Sequence, residues 1–161
     1  MIGKACKSLA MGALLSWSVQ PAAAQATGSL TSKVELEKST PSPNGGPATK
    51  TYTEPKVVVP GDRIRVALTF TNNAAAPAAG VKLVNPIPEG LVFDDTANAE
   101  SFTVSTDGGN TFGALTSLTV ASQDASPRPA TAADVTHVRW LWPDAIAPGQ
   151  SRSVAFFGRV R

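Results

Sequence analysis

Hydrophobic and polar positions along this chain alternate in short runs separated by turn residues, with the period of two that belongs to strands rather than the longer period of a helix. The clearest run is Arg63 to Thr71, where Ile64, Val66, Leu68 and Phe70 alternate with Arg63, Arg65, Ala67 and Thr69. Successive side chains of a strand point to opposite faces, so this run predicts one face in a core and the other in water. Val138, Trp140 and Trp142 share one parity, with Arg139 and Leu141 on the other, and Val154, Phe156 and Val160 mark a closing strand. Leu141 and Phe157 fall on the outward parity, which predicts partial cover of that face by the N-terminal segment or a partner. Pro143 and Pro148-Gly149 turn the chain so that Thr136 to Trp142 and Ser151 to Val160 become antiparallel neighbours, and Pro60-Gly61-Asp62 turns it ahead of Arg63.

Shorter elements fill the space between. Val81 to Val84 predicts a strand closed by Asn85-Pro86-Ile87-Pro88-Glu89-Gly90, and Leu91 to Phe93 resumes an extended run. Phe102 to Ser105 and Thr111 to Phe112 flank Asp107-Gly108-Gly109-Asn110, a hairpin signal. Leu115 to Val120 predicts a further strand, and Ser122 to Ala133 a polar loop rich in Pro and Ala. Near the N-terminus, Lys33 to Lys38 alternates charged and apolar residues, as an edge strand protected from aggregation does. Ser39 to Thr49 is the expected loop to a second edge segment near Lys50 to Val59.

The first residues read as an address. Lys4 and Lys7 form a positive n-region, Leu9 to Val19 an apolar stretch, and Ala22, Ala23 and Ala24 a small-residue cleavage site, so residues 1–24 are expected to be a cleaved secretory signal. The apolar stretch is short of the roughly 20 residues that cross a bilayer. Cys6 precedes the apolar stretch, where a lipid-modified cysteine would follow it, and leaves with the signal, as does Trp17. Without Lys4 and Lys7 the 14 basic residues become 12 against 12 acids, and the formal charge falls from +2 to 0. The basic balance belongs to the signal, and nothing in the remainder has the clustered basic face of a nucleic-acid binder. The remaining chain has no cysteine, so its stability in an oxidising compartment has to come from core burial. The ending Phe157-Gly158-Arg159-Val160-Arg161 carries no sorting motif, spanning helix or aromatic last residue, so attachment to a cell is expected to be non-covalent or through a partner.

Three ordered blocks carry a resemblance: Val59-Pro60-Gly61-Asp62 leading into Arg63 to Asn73; Ala79-Gly80-Val81-Lys82-Leu83-Val84-Asn85-Pro86-Ile87-Pro88-Glu89-Gly90-Leu91; and Ile146-Ala147-Pro148-Gly149-Gln150-Ser151 with the terminal strand. Over roughly Lys33 to Arg161 the chain resembles the bacterial conserved-repeat domain known as domain of unknown function eleven. It carries Asn85 where that family often has Asp, and one copy where tandem repeats are common. The resemblance implies a secreted or surface immunoglobulin-like domain with roles in adhesion or envelope architecture, and it implies no catalytic residue. The expected fold is all-β, an immunoglobulin-like antiparallel β-sandwich of about seven to eight strands. It would occupy residues 50–161 with strand 33–38 joined to it, and residues 25–49 would form the N-terminal edge segment and Pro/Gly-rich loop.

Candidate chemistry is sparse. His137 is the only histidine and reads as a solvent-facing or rim residue, there is no thiol after the signal, and no Gly-x-Ser-x-Gly elbow occurs. Asp94, Asp95, Glu100 and Asp107 are the acids a loop calcium site would draw on, but turn geometry alone accounts for Asp107 to Asn110. Trp140 and Trp142 could stack on sugars, yet they share parity with Val138 and are expected in the core. No catalytic, cofactor-binding or metal residue is therefore assigned, and no cofactor is expected. The leading expectation is an exported, periplasmic or cell-surface, non-catalytic module whose partner is a protein or envelope component, with no membrane span after cleavage. Its alternatives are a self-assembling subunit that adds Ser29 to Lys38 to the edge of another copy, and a hydrolase or hydrolase accessory domain acting on an extracellular polymer.

Overall fold

The computed structural model of the chain describes residues 28–122 and 126–161. The expected signal, with Cys6 and Trp17, lies outside the described residues, as do residues 25–27 and 123–125. Ten strands follow one another among the described residues: β1 (Gly28–Thr40), β2 (Thr49–Thr53), β3 (Arg63–Asn72), β4 (Val81–Pro86), β5 (Leu91–Thr96), β6 (Phe102–Ser105), β7 (Thr119–Ala121), β8 (Pro127–Pro129), β9 (His137–Trp142) and β10 (Ser151–Val160). They form an all-β domain of three sheets, with orders β2-β1-β3-β10-β5, β4-β9-β6 and β7-β8. Neighbours pair antiparallel throughout.

The core lies between the five-stranded and three-stranded sheets and is built from the alternation described above. Ile64, Val66 and Leu68 of β3 and Val154 and Phe156 of β10 are buried on one side, and Leu83, Val104, Val138, Trp140 and Trp142 meet them from the other. Trp140 sits at the centre, its ring 5.1 Å from Phe102 and 6.4 Å from Phe156. Its indole N–H donates to the Asn98 carbonyl at 2.9 Å, which removes the cost of burying that donor. Asn72, also fully buried, closes one end of the core by donating to the Ala76 and Ile146 carbonyls at 2.9 and 2.8 Å. Among the described residues, every buried side-chain nitrogen or oxygen has a hydrogen-bond partner.

The strand count exceeds the seven or eight expected, and the excess has a local cause. Ser122 to Ala133 is not simply a loop: β8 lies within it and pairs with β7. Leu115 to Val120 is not one strand either, because Leu115–Ser117 closes a 3-10 turn before β7 begins. A second 3-10 turn, Ala132–Asp134, is held by a capping box in which Thr131 and Asp134 exchange side-chain bonds with backbone. The hairpin expected around Asp107 to Asn110 returns to β6 only through a single bridge, Val104 to Gly113, and Thr111 to Phe112 forms no strand.

Lys33 to Lys38 is the middle of a longer strand, paired with β3 over Gly28 to Leu36 and with β2 over Leu36 to Thr40. It is an edge only along its first half, and β2 is the outer strand beyond the second. Pairing stops at Thr53, and Pro55 two residues on has no N–H to continue it. Of the two apolar residues with outward parity, Phe157 is covered, by Tyr52 of β2 and Arg63 of β3, while Leu141 remains exposed.

Since Phe156 is fully buried against Trp140, Phe156→Ala removes contact on both sheets at once and is expected to destabilise the domain by about 3–5 kcal/mol. Denaturant unfolding followed by tryptophan emission would report it.

Candidate functional site

The outer face of the five-stranded sheet carries a continuous run of charges across all five strands. Pairing aligns Glu35 with Arg65, Glu37 with Tyr52, Arg65 with Phe157 and Arg63 with Arg159, so these side chains rise from one surface. Arg63 is the hub: its guanidinium reaches Glu37 of β1 at 2.7 Å and Asp94 of β5 at 2.5 Å, and lies 3.9 Å above the centre of the Phe157 ring. Lys50 joins Glu37 at 3.2 Å, and Arg159 joins Asp94 at 3.2 Å. A second group sits beside it, where Glu35 takes Arg65 at 2.6 Å and Lys33 at 2.7 Å, and Arg65 lies 5.0 Å over the Tyr52 ring.

Asp94 reaches Arg63 because of a β-bulge. Phe157 pairs with Asp95 but Gly158 pairs with Phe93, so Asp94 is the extra residue and both aspartates come to the outer face while Phe93 stays in the core. Glycine at 158 suits this close approach, since a Cβ would stand 3.1 Å from the Val92 carbonyl oxygen and the backbone would have to give by a few tenths of an ångström.

These contacts hold the carboxyls below their ordinary range. For Glu35 the hydrogen bond from Lys33 leads, opposed by burial and reinforced by Arg65. For Glu37 and Asp94 burial is the largest influence and pushes upward, but the combined hydrogen bonds and charges of Lys50 and Arg63, and of Arg63 and Arg159, outweigh it. Arg63 is raised, because its two carboxylates outweigh the cost of burying it.

The acids singled out as calcium candidates are placed apart from that use. Asp94 is committed to two arginines, and Asp95 lies 3.7 Å from Arg63. Asp107 is wrapped by its own loop, accepting from Ser105 Oγ at 2.7 Å, Thr111 Oγ1 at 2.6 Å and the Asn110 and Thr111 amides, with the Thr111 bonds chiefly responsible for a strongly lowered pKa. Among the described residues no three His, Cys, Asp or Glu side chains gather as metal ligands would, Glu100 included. His137 is half-buried as the first residue of β9, with Nδ1 3.2 Å from Thr136 Oγ1. Trp140 and Trp142 are both buried, and Arg152 lies 5.3 Å over the Trp142 ring, so neither offers a stacking platform.

The features that the alternation did not single out are apolar. Leu30 and Val34 face the core side of β1 yet are 51% and 45% exposed, because no strand of the narrower sheet covers them. Beside Val34 a cleft of about 300 Å³ opens between Val34, Pro55, Val58, Ile64, Leu91 and Val160, almost entirely apolar. Their signal in the sequence was only their parity; exposure depends on how far the facing sheet extends.

Comparisons with family models, with characterised proteins and with solved structures return no match. The functional reading therefore rests on residues and geometry.

The pH dependence of stability follows from the lowered carboxyls. A group with a depressed folded pKa contributes stability above its unfolded value and loses it as pH falls through the folded one. Glu35 and Glu37 contribute fully above their ordinary 4.5 and Asp94 above 3.8, and acidification below those values withdraws the contribution. Arg63→Met strands Glu37 and Asp94 without their shared partner and is expected to cost about 1–3 kcal/mol at neutral pH. It should also flatten the acid limb of a stability curve measured by urea unfolding at stepped pH.

Proposed function

We propose that this chain is an exported, immunoglobulin-like β-sandwich module whose work is interaction or envelope architecture rather than catalysis. The observation that carries the interaction reading is the uncovered apolar side of β1: Leu30, Val34 and the adjoining cleft present hydrophobic surface continuous with a sheet edge. Surface of that kind marks contact with another macromolecule. The immunoglobulin-like assignment draws on the eight strands outside the β7-β8 hairpin, which face each other in two sheets around a buried tryptophan, and on the resemblance to the conserved-repeat domain. Export draws on the Lys4, Lys7, Leu9 to Val19 and Ala22 to Ala24 pattern. The charged outer face is internally neutralised, carboxylate to guanidinium, and supplies rigidity to the sheet that bears the edge.

The test has two arms. Fractionation of a tagged chain in a bacterial host should recover it outside the cytoplasm with an N-terminus at Gln25; a cytoplasmic chain with its leader intact overturns export. Purified protein mixed with isolated cell envelopes should co-sediment with them above an inert control protein, and equal recovery of both in the supernatant overturns the interaction reading.

A further inference from the structure

The edges of the two larger sheets are guarded unequally. β2 is five residues long, carries Lys50 and is followed by Pro55. β5 is bent by the bulge at Asp94, and β4 carries Lys82 and ends at Pro86. Those are the devices by which edge strands avoid pairing with other chains. The first half of β1 has only one of them, the exposed Lys33. Gly28 to Leu36 runs without proline and pairs with β3 without a register shift. Its one cation, Lys33, is matched to Glu35 at 2.7 Å.

The direction of its free backbone groups follows from the ladder. The Asn72 N–H and C=O both point to the β10 side, bonding Gln150 and Gly149, so alternation turns Thr71, Thr69, Ala67 and Arg65 toward β1. Their partners Ser29, Thr31, Lys33 and Glu35 use their backbone groups on β3. Leu30, Ser32 and Val34 are left with N–H and C=O aimed out of the sheet, unpaired by any strand among the described residues.

We propose that two copies of this chain associate edge to edge through β1, antiparallel about a twofold axis at Ser32, joining their five-stranded sheets into one. A partner strand can replace the water on a row of outward backbone groups with a continuous ladder, and a twofold contact needs a surface that complements itself. This register pairs Leu30 of each copy with Val34 of the other. It sets Leu30 of the second copy beside Val34, Pro55 and Val58, where the apolar cleft opens. On the outer face it places Thr31 against Lys33 and Ser29 against Glu35, with no like charges opposed. A centre at Lys33 would oppose two lysines, and a centre at Thr31 would set Gly28 against Val34 and leave the cleft unfilled. The pairing reaches Glu35 and stops where β2 takes up the edge at Leu36.

Self-association through β1 is independent of export and of envelope binding. Sedimentation velocity over a concentration series should show the parent chain as a reversible dimer. Leu30→Lys and Val34→Glu alter exposed side chains, so each variant keeps its fold by circular dichroism, and each is expected to weaken the dimer by about tenfold or more. The double variant Leu30→Lys/Val34→Glu places opposite charges across the axis twice and should restore much of the lost association, in a salt-sensitive way. A monomeric parent overturns the proposal, as does a dimer indifferent to both single variants. A double variant no stronger than the weaker single one overturns the Ser32 register.

Discussion

Strand β3 is hydrogen-bonded on both sides, to β1 and to β10, so its pleat leaves each side chain one choice, core or outer face. Ile64, Val66 and Leu68 take the core and Arg63 and Arg65 the outer face, and a slip of one residue would exchange the two sets. Charge makes that exchange prohibitive, since two guanidiniums would enter an apolar interior. Everything else in the two larger sheets is indexed to this strand. Val66 fixes Phe156 beneath Trp140, and Arg65 fixes Phe157 on the opposite face, where Arg63 covers it. The adjacent phenylalanines thus serve opposite layers, one closing the hydrophobic core and the other giving the charged layer an aromatic floor.

The elements legible in the sequence are those whose side chains alone determine their role. β3 and β9 alternate cleanly and are punctuated by Pro-Gly turns, and both tryptophans of β9 lie where parity puts them. But β9 and β10, expected to be antiparallel neighbours, lie in different sheets, because the turn at Pro148-Gly149 carries the chain from one sheet to the other. Asp94 and Asp95 illustrate the limit. As adjacent acids they read as possible cation ligands on a loop, since hard cations take clustered oxygen ligands. The bulge opposite Gly158 turns both outward, and a bulge is a relation between two strands that no single segment announces. Glu35 was equally hidden: its neighbours in sequence show an alternating charged strand, while its near-complete cover comes from the Lys33 and Arg65 side chains that meet over it.

The β7-β8 hairpin was illegible for a sharper reason. Pro127 and Pro129 argue against a strand wherever their missing N–H would be needed. Bonds from Ala130 N to the Leu118 carbonyl and from Ser122 N to the Ser126 carbonyl show that the even positions of β8 face β7. Both prolines therefore fall where the N–H would point away, and Arg128 between them makes the pairing with Val120. Arg128 is then fixed by two bonds to Asp134, at 2.8 and 2.6 Å, which ties the hairpin to the following 3-10 turn. The spacing of two that looked like loop composition is the spacing a proline-bearing edge strand requires.

Unequal sheet width connects the fold to the candidate interface. Five strands against three leave the β1 side of the larger sheet without a facing layer, so the inward residues of its first half cannot be buried by the chain's own second sheet. Pro55 compounds this. By ending β2 at Thr53 it opens the edge at Val34, and its ring then lines the cleft that the opening creates. A polar sequence would have left that gap as ordinary wet surface. Leu30 and Val34 instead keep the core parity of β3's partners, an arrangement that burial among the described residues does not account for, and whose physical consequence is an edge with both backbone and apolar valence to spare.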